Sequence, residues 1–223
     1  MLLAREPRPL LVGLTGSVAV GKTWLAEALS TELAAKARVA VVSTDGFLFP
    51  NAALEAKQLV LKKGFPESYD ANAMLAALAA LRTGAATVPV HSHVTYDIDP
   101  ALTRSVGPAD IVVFEGLGLS GFADGRRARD GLDLLIYIDA DPFDIEAWYV
   151  ARFIELWRSG ADNPVSFYHR FAGLKHADVV TLACGTWANI NLPNLERHIS
   201  AARADADILL RKIADHRLLL VKA

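Results

Sequence analysis

Apolar residues along this chain fall into two arrangements. Some form short unbroken runs that stop at glycine, serine or a carboxylate, and others return every three or four positions through longer stretches. Leu10 to Leu14 is a run of the first kind, ending at Thr15 and Gly16, and reads as a fully buried parallel strand entering a glycine turn. From Lys22 to Lys36 there is no internal Gly or Pro, and Leu25, Leu29 and Leu33 repeat at helical spacing, which predicts a first helix. Val39 to Val42 is a second apolar run, broken at Ser43, Thr44 and Asp45. Strand, glycine loop, helix, strand is the opening of a parallel α/β sheet.

The same patterning predicts a helix over Pro50 to Lys63, ended by Gly64 and Pro66, and an alanine-rich helix over Asp70 to Leu81 that stops before Gly84. Ile111 to Phe114 and Leu134 to Ile138 read as further buried strands, each ending at a carboxylate, Glu115 and Asp139. Strand ends of this kind are where parallel α/β folds place their sites. Helical pattern resumes from Pro142 to Trp157, continues less regularly through Asn191, and gives way to two apolar runs fit for closing strands, Ile208 to Leu210 and Leu218 to Val221. No composition shift marks a boundary, so residues 1–223 are expected to form a single domain. The glycine- and charge-rich piece from Leu117 to Gly131, with Arg126, Arg127 and Arg129, is expected to be a mobile, lid-like loop rather than a linker.

Composition narrows the functional classes. With 223 residues, 52% hydrophobic and 22% charged, the chain can bury a sizeable core, which excludes disorder. Its net charge of −2, from 23 basic and 25 acidic side chains, supplies no positive field for a nucleic acid backbone. No stretch approaches the roughly 20 apolar residues of a membrane span, and Arg5 to Pro9 stands where a signal peptide needs its apolar block. The expected location is the cytoplasm, without membrane or nucleic acid as partner. Cys184 is the only cysteine, which leaves no intrachain disulfide and no thiolate metal site.

One motif carries specific chemistry. Gly16-Ser17-Val18-Ala19-Val20-Gly21-Lys22-Thr23 matches G-x-x-x-x-G-K-[ST] at every fixed position and lies between a predicted strand and a predicted helix. Gly16 and Gly21 let the backbone curl so that successive N–H groups and the helix start point at phosphate oxygens. In such a loop Lys22 reaches the β- and γ-phosphates, and the Thr23 hydroxyl completes a magnesium shell. The expected fold is therefore a P-loop NTPase-type parallel sheet flanked by helices, binding ATP and Mg2+.

Other candidates gather around this loop by topology. Asp45 closes the second strand, where a carboxylate can accept the proton of an attacking hydroxyl, and an Asp capping the turn before Gly46 is the plainer alternative. Glu115 stands where a Walker B carboxylate binds magnesium directly or through water. His91 and His93, two apart in a predicted strand, project from one face and suit hydrogen bonding to a substrate better than a zinc site, since no third ligand has suitable spacing. Tyr149 and Arg152 share one helix face, where the guanidinium meets charge developing on a transferred phosphoryl group.

Beyond these readings, the chain from Gly13 onward resembles the prokaryotic type I pantothenate kinases. The likeness rests on the loop itself, on Thr44-Asp45-Gly46-Phe47-Leu48 with Pro50-Asn51, on Lys62-Lys63-Gly64-Phe65-Pro66-Glu67-Ser68-Tyr69-Asp70, and on Ser92-His93 with Tyr96-Asp97. It continues through Glu115-Gly116-Leu117, Trp148-Tyr149 with Arg152-Phe153, Ile190-Asn191, Lys212 and His216. The resemblance implies transfer of the ATP γ-phosphate to the 4′-hydroxyl of pantothenate in coenzyme A synthesis. It implies phosphate binding by Lys22, magnesium binding by Thr23, a base or orienting role for Asp45 and charge stabilisation by Arg152. It also places His93, Tyr96, Tyr149 and Asn191 around pantothenate and Lys212 with His216 near the adenine. A related kinase for a nucleoside or sugar-like alcohol, or a silent nucleotide- or coenzyme A-binding regulator, would share the nucleotide-side residues. A homodimer is compatible with the sequence.

The chain also departs from that family. The family carries a substantial segment before its first strand, whereas the strand here begins by Leu10, so an adenine contact from that segment is expected to be absent. Trp24 and Glu27 replace a Thr and an Arg of the family pattern, and Glu27 would repel the phosphates of inhibitory coenzyme A. His91 stands where the family has Tyr, and the loop from Leu117 to Gly131 is shorter than its counterpart, which together imply a reshaped acceptor pocket.

Overall fold

The computed structural model describes residues 9–223. The predicted opening is present: β1 (Leu10–Gly16), α1 (Lys22–Leu33) and β2 (Val39–Ser43). There follow α2 (Asn51–Ala56), α3 (Ala71–Thr83) and four short strands, β3 (Ala86–Val88), β4 (His91–Ser92), β5 (Asp97–Ile98) and β6 (Arg104–Val106). The chain then re-enters the main sheet with β7 (Ile111–Glu115) and β8 (Leu134–Asp139), passes through α4 (Pro142–Gly160), α5 (His176–Thr186) and α6 (Leu192–Arg197), and closes with β9 (Ile208–Lys212) and β10 (Leu218–Lys222).

The main sheet has six strands in the order β10-β9-β8-β1-β7-β2. All neighbours are parallel except β10, which returns antiparallel to β9 as an edge hairpin. β1 lies between β7 and β8, and all three read as apolar runs because helices cover both faces. Leu11, Leu14, Val112, Phe114, Leu135 and Ile138 are essentially without solvent contact at the centre of the core. β1, β2, β7, β8 and β9 therefore end along one edge of the sheet, and the glycine loop, Asp45, Glu115 and Lys212 are delivered to that edge together. Two two-stranded ribbons, β3 with β6 and β4 with β5, lie outside this sheet.

Three helix boundaries differ from the sequence expectation. The helix predicted over Pro50 to Lys63 stops at Ala56, because Gln58 adopts a left-handed backbone (φ 57°), and Leu54 is the one large apolar side chain of the segment that is fully buried. Val60 and Leu61 beyond it are exposed. α1 ends at Leu33, short of Lys36, in a turn where the Lys36 and Ala37 amides both donate to the Leu33 carbonyl. The pattern read as running on from Trp157 through Asn191 is broken by a loop and short 3-10 turn before α5, then by a π-turn over Trp187–Asn191. Pro193 follows immediately and has no N–H to continue the regular α-helical ladder. α3 starts where expected: Asp70 caps it, accepting from the Ala73 amide at 2.9 Å.

The segment Leu117 to Gly131 packs onto the body rather than standing clear of it. Leu119, Phe122 and Ala128 are buried. Arg129 pairs with Asp207 at 2.8 Å, and Arg127 with Asp205 at 3.0 Å. Among the described residues no helix is long and apolar enough to cross a membrane.

Candidate active site

The loop after β1 is curled by three residues with positive φ, Gly16 (143°), Ala19 (57°) and Gly21 (99°). A Cβ at Gly16 would sit 2.4 Å from the Ile138 carbonyl oxygen, so β8 is too close for any larger residue. Lys22 Nζ folds back on the loop and donates to the carbonyls of Ser17 at 2.8 Å and Gly16 at 3.3 Å. Burial lowers the pKa of Lys22, and the nearby carboxylates of Glu115 and Asp45 act against that shift. Ser17 Oγ is buried without a hydrogen-bond partner, so the loop presents an unsatisfied hydroxyl along with its curled backbone.

Glu115, at the end of β7, is buried, and burial raises its pKa while Lys22 and the neighbouring Ser43 and Thr23 hydroxyls oppose the rise. Thr23, Ser43 and Glu115 thus form a set of oxygen donors beside the loop, the chemistry that suits Mg2+. Asp139, the other strand-end carboxylate, is instead held by Arg211 at 2.9 Å and Arg203 at 3.3 Å. Gly116 lets β7 pass Thr44, since a Cβ there would lie 1.8 Å from Thr44 Oγ1.

Asp45 begins the turn after β2, its amide donating to Ser43 Oγ at 3.4 Å. Its charge acts on Lys22, Lys63, His91 and Glu115, which puts it at the junction between the loop and a second group of side chains. Arg152, on an exposed face of α4, also acts on Lys22. The structure therefore brings Lys22, Asp45, Glu115 and Arg152 within one field.

The second group lies on the other side of Asp45. Only His91 and Ser92 are in a strand and His93 starts a turn, yet the two imidazoles meet at 5.7 Å, and His91 meets Tyr96 at 5.2 Å. Tyr96 has a positive φ of 57°. Among the described residues no group of three His, Cys, Asp or Glu could hold a metal ion. Burial raises the pKa of Tyr149, and the neighbouring Asn191 and Thr186 side chains oppose the rise; Asn191 Nδ2 is buried without a hydrogen-bond partner. Both ring nitrogens of His91 are in the same condition. Lys63 is the residue that sequence reasoning left without a role. Its Nζ donates to Asn51 Oδ1 at 2.8 Å and to the Tyr96 carbonyl at 2.5 Å, and it sits 4.6 Å from the Tyr96 ring centroid. Burial pulls its pKa down to about 8 against the pull of Asp97 and Asp45. The available signal was the position of Lys63 inside the string Lys62 to Asp70, whose length set it apart from an ordinary solvated lysine.

Burial, aided by the charge of Lys63, lowers the pKa of His91 from 6.5 to about 4. The unfolded chain takes up a proton as pH falls through 6.5 and the folded chain does not until about 4, so stability is full above pH 6.5 and lost progressively toward pH 4. The loss expected from this group is of order 3 kcal/mol at 1.36 kcal/mol per pKa unit. Urea midpoints of the wild type and His91→Phe at pH 7 and pH 4.5 check this: the variant should lose less on acidification, and an identical loss in both would assign the acid limb to other groups.

On the far side of the loop, Lys212 Nζ donates to the Val20 carbonyl at 3.1 Å and stands 4.1 Å from the Trp148 ring centroid. His216 packs on Trp148 at 5.1 Å. Lys212 and His216 border a cavity of about 440 Å³ next to Gly21.

A glycine loop between a central parallel strand and a helix, with acidic residues on the two strands beyond it, is the architecture of the P-loop kinases. The profile of the Phosphoribulokinase / Uridine kinase family matches residues 11–152, and the chain belongs to that family. It is 41% identical over 219 residues to a pantothenate kinase of Streptococcus suis, covering 96% of this chain and 72% of that protein. It is 44% identical over 216 residues to a pantothenate kinase of Clavibacter sepedonicus, covering 93% and 68%. Among solved structures, phosphoribulokinase from Rhodobacter spheroides superposes with a TM-score of 0.60 at 12% identity, covering 93% of this chain and 71% of that one. A D-glycerate 3-kinase from Cryptococcus neoformans gives 0.59 at 14% identity, covering 96% and 90%. The last two establish the fold.

Proposed function

We propose that this protein transfers the γ-phosphoryl group of ATP to the 4′-hydroxyl of pantothenate. The observation that carries the acceptor side is the pair of buried, unsatisfied side chains, His91 and Asn191. Buried polar groups without partners cost stability, and a polar acceptor with hydrogen-bonding groups would complete them. The relatives named above support pantothenate as that alcohol.

In this reading the curled backbone of Gly16, Ser17, Val18, Ala19, Val20 and Gly21 cradles the phosphates, and Lys22 turns from its resting carbonyls to the β- and γ-phosphates. Thr23 and Glu115 would hold Mg2+, which neutralises charge on the β- and γ-oxygens when bound. Asp45 accepts the proton of the acceptor hydroxyl, and Arg152 with Lys22 offsets charge on the phosphoryl group in flight. Lys212 and His216 border the base. His91, His93, Tyr96, Tyr149 and Asn191 hold the acceptor, with Lys63 fixing Tyr96 through its backbone carbonyl. An ADP-release assay across pantothenate, pantetheine, nucleosides and sugars tests the assignment. Pantothenate should give the highest kcat/KM; a faster nucleoside or sugar reassigns the acceptor, and no turnover with any of them leaves a binding protein.

Coenzyme A is expected to inhibit this protein weakly. Glu27 is exposed on the second turn of α1, and near a phosphate at about 4 Å its charge would cost rather than gain several kcal/mol before screening. Glu27→Arg should tighten coenzyme A inhibition and make it more sensitive to salt, measured as the inhibition constant at two ionic strengths. Tight inhibition of the wild type, or an unchanged constant in the variant, would show that Glu27 does not face the phosphates.

A further inference from the structure

Trp24 is a side chain for which the fold supplies no burial. It stands one residue after Thr23 in the first turn of α1 and is 66% exposed. A tryptophan left this open forgoes the apolar burial that makes the residue worth having. Yet Trp24 does not face bulk solvent alone: it forms one side of the 440 Å³ cavity whose other walls are Val20, Gly21, Ile138, Lys212, His216 and Leu218. That volume falls within the range of sites for small molecules.

The cavity's lining suits an aromatic base with polar edges. Val20, Ile138 and Leu218 give it apolar walls, and the polar groups are at one side on the β9–β10 hairpin. Those polar groups are held in place: Lys212 by the Val20 carbonyl and the Trp148 face, and His216 by Trp148 and by a left-handed backbone at φ 69°. Gly21 belongs both to the lining of this cavity and to the curled loop, where its φ of 99° favours glycine, so the cavity adjoins the phosphate cradle. A ligand with phosphates in the loop and an aromatic base at its other end would reach past Gly21 and lie against the indole.

We propose that Trp24 is a base-stacking residue: its indole forms an aromatic wall of the nucleotide pocket and takes the purine of the bound nucleotide against its face. The assignment rests on the loop Gly16 to Thr23 being the phosphate cradle. Because every base offers a π-face, stacking of this kind supplies affinity with little regard to base identity, so Trp24 makes GTP a closer competitor of ATP than hydrogen bonding to the base edge alone would.

The test compares dissociation constants of Mg–ATP, Mg–GTP and inorganic tripolyphosphate for the wild type, Trp24→Ala, Trp24→Phe and Lys22→Ala. Trp24→Ala should weaken both nucleotides about tenfold, the scale of losing one aromatic stack, while tripolyphosphate, which has no base, changes less than about twofold. Trp24→Phe should recover most of the loss. Trp24 is exposed and Ala favours the helix, so folding does not confound the result. Equal losses for ATP and tripolyphosphate would show that Trp24 acts only through the helix start, and no loss for ATP would remove it from the pocket; either overturns the proposal. If the wild type binds neither ATP nor tripolyphosphate, or binds them as well without the Lys22 ammonium, the phosphate cradle itself fails and this assignment falls with it.

Discussion

Lys22→Ala is expected to lower kcat by about 10³-fold or more, the scale set by removal of a preorganised charge from a transition state. The ammonium is the only cation supplied by the glycine loop, and it rests on that loop's own carbonyls, positioned but not consumed by an ion pair. Its removal also takes from Glu115 and Asp45 the ammonium whose charge acts on both. Single-turnover rates at saturating ATP measure the chemical step without the loss in nucleotide affinity. Near-normal turnover would refute the assignment of the loop.

Asp45→Asn separates chemistry from binding. Asn keeps the size of the side chain and one acceptor oxygen, and the local turn depends on the Asp45 backbone, whose amide meets Ser43 Oγ and whose carbonyl accepts from Leu48. The fold and the ATP dissociation constant should therefore change little. The amide cannot take up a proton at neutral pH, and kcat should fall by about 10²–10⁴-fold, the usual contribution of a general base. A loss in ATP affinity comparable to the loss in kcat would place Asp45 on the metal or in the fold instead.

The nucleotide side of this site was legible in the sequence because it follows from short-range constraints. A glycine loop needs fixed spacings, its flanking strand needs an unbroken apolar run, and the carboxyl ends of parallel strands must share an edge. Those rules place Lys22, Asp45 and Glu115 together. Strand-end position alone does not distinguish Glu115, the Walker B-like candidate, from Asp139, since both end buried strands. The difference lies in Arg203 and Arg211, which reach Asp139 from elsewhere in the chain. The acceptor side was less legible because it is built from short ribbons, a π-turn and residues with positive φ such as Tyr96. His91 and His93 do meet, but across a strand-to-turn junction rather than on one face of a strand. Lys63 gained its role only when the helix expected around it ended early and left its chain free to reach Tyr96.

The central position of β1 sets the order in which this chain can assemble. Among the described strands it comes first in the chain and it lies inside the sheet, yet the neighbours on its two sides come late: Leu10 pairs with Ile111, and Val12 with Leu134. At a synthesis rate of about 5–20 residues per second, the wait for β7 is on the order of 5–20 s. Throughout that interval the nascent chain carries an almost wholly apolar strand with both edges open, the condition under which strands pair with the wrong partner. The same strand that fixes the catalytic loop at the heart of the finished molecule is thus, during biosynthesis, the segment most in need of shielding.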